Sequence, residues 1–292
     1  MISVLLAFLL FFVSSAHADP LRVTLVLSEA GGVYKSFSES LQSKLQADKY
    51  TLITRLADED PGATDIYIAV GMKASSILAT RDVPTLNVLV PRAGYEKLQR
   101  TSVLRTSQRS AIFLDQPMER QIALLLAALP ETRHVGVLYS MAPPELSTVR
   151  RLLANKNIIL HDRSVSGAQS LNDALESILN ESDVLFVLAD AEIYNASTIR
   201  NILLTSYRKQ VPLIGLSEAY VKAGALCAVY STAEQIAAQS AEAVRYYSEN
   251  RKFPPSQYPD EFEVSVNKQV ARSLDIPIKD ANKLREVIRR AP

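Results

Sequence analysis

Two hydrophobic rhythms alternate along this chain. Leu21 to Leu27 (LRVTLVL) is a short apolar run rich in β-branched residues, the pattern of a strand buried on both faces. Phe37, Leu41 and Leu45 then recur at helical spacing, with Ser, Glu, Gln and Lys between them. Tyr50 to Leu56 returns to strand character, and Asp65-Ile-Tyr-Ile-Ala-Val70 predicts another buried strand, broken by Gly71. Lys73 to Thr80 predicts a short helix, and Pro84 to Val90 and Ala111 to Phe113 predict two further strands.

The rhythm then starts again. Pro117 suits a helix's first turn, and Met118, Ile122, Leu125, Leu126 and Leu129 form its apolar stripe. Strands are predicted at His134–Tyr139, Ile158–Val165, Asp183–Leu188, Pro212–Leu216 and Ala225–Val229. Helical stripes separate most of them: Leu146, Val149, Leu152 and Leu153; Leu171, Leu175, Ile178 and Leu179; Ile199, Ile202, Leu203 and Tyr207. The halves correspond in detail. Asp65 and five apolar residues match Asp183 and five apolar residues, and Val83-Pro84 matches Val211-Pro212 before the next strand. Alternating strands and helices imply parallel sheets covered by helices. Two such halves predict an α/β protein of two Rossmann-like lobes joined by a hinge, with a ligand cleft between them. The tail adds a long Ala-rich helix over Ala233–Tyr247, a Pro-rich stretch over Arg251–Pro259, an edge-like strand over Glu261–Val266 and two short helical stretches. Lobe one is expected over 19–112 with a returning helix over 232–253. Lobe two is expected over 113–231 with the C-terminal segment 254–292, so that the chain crosses near Pro254.

The first eighteen residues fit neither rhythm. Met1 to Val13 is apolar, and Ser14-Ser15-Ala16-His17-Ala18 follows, with the small-x-small pattern of a signal-peptidase site. Cleavage after Ala18 is expected, which places the mature chain in the periplasm without stable membrane insertion. The rest of the composition narrows the chemistry. Thirty-two Lys and Arg balance 31 Asp and Glu, so no basic surface organises the protein for nucleic acid. One cysteine, Cys227, excludes an intramolecular disulfide, and three scattered histidines make no zinc motif. Neither GxxxxGK[ST] nor GxGxxG occurs, so no cofactor is expected.

Several stretches carry a family resemblance. Asp183 to Leu226 contains Asp190 after a strand, Val211-Pro212 before the next, and a Gly224-Ala225-Leu226 turn. Arg133 to Tyr139 reads RHVGVLY, and Phe262 to Asn267 reads FEVSVN, followed by Ala271 and Leu274-Asp-Ile-Pro277. In these the chain resembles the substrate-binding proteins of ABC transporters of the tryptophan/tyrosine-binding type. It departs from that pattern at Val90 to Tyr95 (VPRAGY), at Ser140 and at Asp190-Ala191. The resemblance implies a periplasmic binding protein of type 1 fold, not an enzyme. It would capture an amino acid or another small polar or aromatic compound and deliver it to an ABC permease. A ligand-sensing module for an envelope receptor or sensor kinase is the alternative, and a periplasmic α/β enzyme a third reading.

In open parallel sheets ligands sit beyond the carboxyl ends of strands. That rule selects Ser28, Glu29, Gly71, Met72, Arg92, Tyr139, Ser140, Asp190, Ser217 and Glu218. Gly71 is either a strand-ending turn or the start of a helix whose N–H groups hold a carboxylate. Asp190 either takes a ligand amine or caps a helix. Arg92 pairs with an anionic ligand or is a solvated loop residue. Tyr139 stacks on a ring or packs in the interlobe wall. Gly71 and Asp190 follow equivalent strands and are expected to face one cavity.

Overall fold

The computed structural model describes residues 19–45, 49–101, 108–165 and 168–290. The expected leader lies outside them. Lobe one is a five-stranded parallel sheet built from β1 (Leu21–Leu27), β2 (Tyr50–Leu56), β3 (Ile66–Val70), β4 (Thr85–Val90) and β5 (Arg109–Phe113), in the order β2-β1-β3-β4-β5. Helices α1 (Gly32–Lys44), α2 (Met72–Leu78) and α3 (Arg92–Thr101) connect them. Lobe two contains α4 (Met118–Ala128), β6 (His134–Tyr139), α5 (Glu145–Ala154), β7 (Ile159–Ser164), α6 (Ala168–Asn180), β8 (Val184–Phe186), α7 (Ile199–Arg208), β9 (Leu213–Gly215), α8 (Glu218–Ala223) and β10 (Cys227–Tyr230). After α9 (Ala233–Asn250) come β11 (Glu263–Val266), α10 (Lys268–Ser273) and α11 (Ala281–Arg290). The second sheet has the order β11-β10-β9-β8-β6-β7, parallel except for β11.

The two orders superpose in sequence: β1 corresponds to β6, β3 to β8 and β4 to β9. The repeated residues do equivalent work. Asp65 accepts the N–H of Arg22 at the start of β1, and Asp183 accepts the N–H groups of Arg133 and His134 at the start of β6, all at 2.8 Å. Each Asp thus ties the start of its strand to the neighbouring strand that opens its lobe's sheet in sequence. The carbonyls of Pro84 and Pro212 accept from Tyr67 and Leu185, both at 2.9 Å. Strands that are apolar on both faces need a helix layer on each side. Phe37, Leu41, Ile236, Ala237, Val244 and Tyr247 therefore share one core with Val23, Leu25, Ile66 and Val88. That places α9 in lobe one, after the chain has already built most of lobe two. A capping box starts this helix: the Thr232 hydroxyl accepts from the Gln235 N–H, and the Gln235 side chain accepts from the Thr232 N–H.

Three crossovers join the lobes: Leu114–Pro117, Ser231–Thr232 and the stretch ahead of β11. The first leaves the carboxyl end of β5 and the second the carboxyl end of β10. The third approaches along β5, where Gln257 pairs in parallel with Ile112, and enters β11 at the residue opposite Tyr230. The chain stays with lobe one through Tyr258, so the crossing falls later than Pro254. Ser110 Oγ binds the Pro254 carbonyl, the Phe113 N–H the Gln257 carbonyl, and Tyr258 packs on Phe113 at 5.3 Å. All three links attach at the carboxyl edges of the sheets, so those are the edges held next to one another.

The links are bonded together. Gln116 Nε2 donates to Ser231 Oγ at 2.9 Å, and that hydroxyl donates to the Glu261 carbonyl at 2.5 Å. Arg120 donates to Gln116 Oε1 at 2.6 Å and to the Pro259 carbonyl at 2.9 Å, with its guanidinium 4.4 Å from the Phe262 ring centre. Beside this brace lies a groove of about 500 Å³ lined by Arg120, Asp260, Glu261, Phe262 and Arg289 among others.

Candidate functional site

The loop after β1 leads into α1, and the loop after β6 leads into α5, at equivalent places in the two lobes. In lobe one Ser28 is buried, and its hydroxyl accepts the Ala74 N–H at 3.1 Å, capping the first turn of α2 from a distance. Gly71 begins that helix with φ +87°. A Cβ there would stand 2.6 Å from Ser28 Oγ and 2.7 Å from Tyr34 Cε1, so a side chain is excluded twice, by backbone angle and by space. The Gly71 N–H itself is bonded to the Val88 carbonyl at 2.9 Å. It is not an offered donor; in the first turn of α2 it is the Met72 and Lys73 N–H groups that have no intrahelical acceptor. The Met72 side chain turns toward α3, where a Cβ on Gly94 would lie 2.9 Å from its sulfur. Glu29 is exposed, and its charge joins burial in raising the Tyr34 hydroxyl above the usual tyrosine range.

Lobe two repeats the device with reversed polarity. Ser140 donates both its N–H and its hydroxyl to Asp190 Oδ2, each at 2.7 Å. Asp190 Oδ1 accepts the N–H groups of Glu192 at 3.0 Å and Ile193 at 3.4 Å. Four donors therefore already meet this carboxylate. Asp190 organises the turn after β8 and ties it to the turn after β6. Tyr139 is likewise committed: its hydroxyl donates to Asp162 at 2.8 Å, Arg150 binds the same carboxylate at 2.6 Å, and its ring packs on the lobe-two core. Ser217 is the N-cap residue of α8, and Glu218, in the first turn, pairs with Lys222 at 2.8 Å.

Arg92 does not lie in a loop. It opens α3, a helix hidden from periodicity because only Tyr95 of its ten residues is buried. Its side chain bonds Glu96 at 2.7 Å and the Tyr258 hydroxyl at 3.0 Å, and its N–H bonds Asp115 in the first crossover. Burial pushes the Asp115 carboxyl up to about 6; the Arg92 N–H opposes the rise, and the charge of Glu145 adds to it.

Sequence reasoning missed several groups at the cleft edges. Val33, Leu114 and Met141 are large apolar side chains left 47%, 44% and 81% exposed, one from the loop side of each lobe and one from the crossover between them. Tyr34 follows β1, and Tyr230 ends β10, where burial and the charges of Glu218 and Glu263 raise its hydroxyl. Val33 and Tyr34 stand at helical spacing ahead of Phe37 and Leu41, while Leu114, Met141 and Tyr230 belong to no stripe, so position relative to a strand end was the signal for those three. At the opposite end of lobe two, His134 Nδ1 lies 3.0 Å from His161 Nε2. Among the described residues no three His, Cys, Asp or Glu side chains form a metal-binding group, and no helix is long and apolar enough to cross a membrane.

Two parallel α/β lobes, joined at the carboxyl edges of their sheets by three crossovers, define a two-lobed binding-protein architecture. Residues 113–285 match the model of the ABC transporter substrate binding protein family. The chain belongs to that family. It is 22% identical over 260 residues to a tyrosine-binding protein of Clostridioides difficile (strain R20291), covering 86% of this chain and 70% of the relative. Its fold is similar to a ligand-free, open substrate-binding protein with adhesive properties from Clostridium difficile (TM-score 0.70, 14% identity, 90% of this chain and 97% of that one). It is also similar to a domain in complex with L-Trp from Streptococcus pneumonia (TM-score 0.65, 15% identity, 94% and 99%).

Proposed function

We propose that this chain is a periplasmic receptor that closes its two lobes on an aromatic amino acid and hands it to an ABC permease, without catalysing a reaction. The observation that carries this reading is the attachment of all three crossovers at the carboxyl edges of both sheets. Bending there opens and shuts the space where parallel sheets bind ligands. The leader and the cleavage after Ala18 supply the periplasmic location in this reading. Ligand contacts come from the turns at Ser28–Glu29, Gly71–Met72, Ser140 and Ser217–Glu218. Asp190 and Tyr139 hold the lobe-two turns in place, and Arg92 holds α3 against the third crossover. The apolar and aromatic groups at Val33, Tyr34, Leu114, Met141 and Tyr230 favour a ligand with an apolar or aromatic side chain. The tyrosine-binding relative and the L-Trp complex point the same way.

The test is a thermal-shift series on the chain beginning at Asp19 with L-tyrosine, L-tryptophan, aliphatic amino acids, nucleosides and ribose. A ligand at a hundred times its Kd adds about 2.7 kcal/mol of stability. Stabilisation by the aromatic amino acids is expected. Stabilisation by ribose or a nucleoside alone would overturn the ligand class, and turnover of any compound would overturn the non-enzymatic role.

A further inference from the structure

We propose that His134 and His161 form a two-imidazole site for a divalent transition cation of the Cu²⁺ or Zn²⁺ class, on lobe two and away from the cleft. Beyond His17 the chain has two histidines, and they touch: His134 Nδ1 lies 3.0 Å from His161 Nε2. They stand 27 positions apart, so no local motif announces them. Strand pairing brings them together. His134 and Gly136 share one face of β6, and His161 of β7 lies opposite Gly136 in the parallel register, which puts both rings on that face.

The neighbouring groups form an outer shell. His161 Nδ1 is 3.2 Å from Glu181 Oε2, which keeps a proton on Nδ1 and leaves the Nε2 lone pair facing His134. Arg163 holds the same carboxylate with two bonds, at 2.9 and 2.8 Å. A carboxylate behind an imidazole is the arrangement that fixes the tautomer of a metal-binding histidine. Next to Glu181, Ser182 is buried over Gly136, and its hydroxyl bonds to no group among the described residues. Two imidazoles on one ion, with bonds of about 2.0–2.1 Å, have their nitrogens about 2.9–3.4 Å apart, and the observed pair falls in that range. The ring centres are 5.3 Å apart, so the nitrogens now meet nearly head-on across one proton. Both rings are half-buried at the surface, where a tilt turns their lone pairs onto an ion and the bridging proton passes to His134 Nε2. Among the described residues no third His, Cys, Asp or Glu completes a metal-binding group, so water fills the remaining positions. Nitrogen donors without a carboxylate cage select Cu²⁺, Zn²⁺ or Ni²⁺ over Ca²⁺ and Mg²⁺.

The test uses the untagged chain beginning at Asp19, in which these are the only two imidazoles. Cu²⁺ alone is added and read by electron paramagnetic resonance, and Zn²⁺ alone is titrated by calorimetry. Coupling of the copper to two imidazole nitrogens, and one Zn²⁺ per chain, are expected. His134→Gln and His161→Gln should each weaken Zn²⁺ binding by more than about tenfold, and Glu181→Gln, which removes no ligand, by about 10- to 100-fold. Circular dichroism verifies that each variant is folded; should one fail to fold, the copper spectrum of the native chain still decides. A spectrum with fewer than two imidazole nitrogens, or Zn²⁺ affinity unchanged in both histidine variants, overturns the site. Glu181→Gln that lowers the melting temperature and leaves Zn²⁺ affinity intact overturns its outer-shell role. Thermal shifts with L-tryptophan and L-tyrosine, recorded without metal, should be the same in His161→Gln as in the native chain, so the metal site and the clamp stand or fall separately.

Discussion

Asp190 Oδ2 and the Ser140 hydroxyl lie 2.7 Å apart, joining the turns after β8 and β6. In lobe one the equivalent turns are joined by Ser28 and the Ala74 N–H. The serine accepts in one lobe and donates in the other, so the same architecture is held by opposite hydrogen-bond polarity. Asp190→Ala leaves the Ser140, Glu192 and Ile193 donors without their acceptor. A loss of about 1.5–3 kcal/mol in urea unfolding is expected, the scale for hydrogen bonds to a charged group. Unchanged stability with weakened ligand binding would return Asp190 to the role of direct ligand contact.

Gly71→Ala places a methyl group in a backbone region L residues avoid and against Ser28 and Tyr34. The expected cost is about 1–3 kcal/mol. Thermal denaturation measures it, and a neutral result would mean that the α2 turn is easily rebuilt.

Thr232→Ala removes the hydroxyl half of the capping box on α9. Because α9 packs into the lobe-one core, the helix cannot fray without exposing Ile236 and Ala237. A loss of about 1 kcal/mol is expected from chemical denaturation. Restoration in Thr232→Ser would assign the loss to the cap.

The raised carboxyl of Asp115 has a defined sign in stability. Its folded value, about 6, lies above the ordinary value of 3.8. The folded chain therefore binds the proton more readily than the unfolded one between those limits. Stability from this group is fully present below the unfolded value and disappears as pH rises through about 6. The melting-temperature difference between the native chain and Asp115→Asn should move in that direction between pH 4 and 7. A flat difference would place the Asp115 titration elsewhere.

Cys227 is fully buried in β10, and burial pushes its thiol up to about 12. Iodoacetamide at neutral pH should leave the native protein unmodified and alkylate it fully in denaturant. Rapid modification without denaturant would mean that β10 opens locally.

The repeat was readable in the sequence because strands buried on both faces need unbroken apolar runs. Asp65 and Asp183 marked equivalent strands, and the structure gives them equivalent bonds. α3 was not readable: its surface is polar, and Tyr95 alone makes no stripe. The candidate positions were found by strand ends, which is a statement about topology and not about side chains. It selects turns without telling a supporting residue from one that meets a ligand.

The sequence by itself determined the two parallel lobes, because hydrophobic periodicity is local and each buried strand declares itself within one short apolar run. Tertiary structure alone decided the work of Asp190, which depends on a serine fifty positions earlier, and of Asp115, which depends on burial and on Arg92 and Glu145. A carboxylate looks the same in sequence whether its lone pairs are filled or empty. Only the donors and charges that folding brings around it settle which groups are committed to holding the lobes and which are left to meet a ligand.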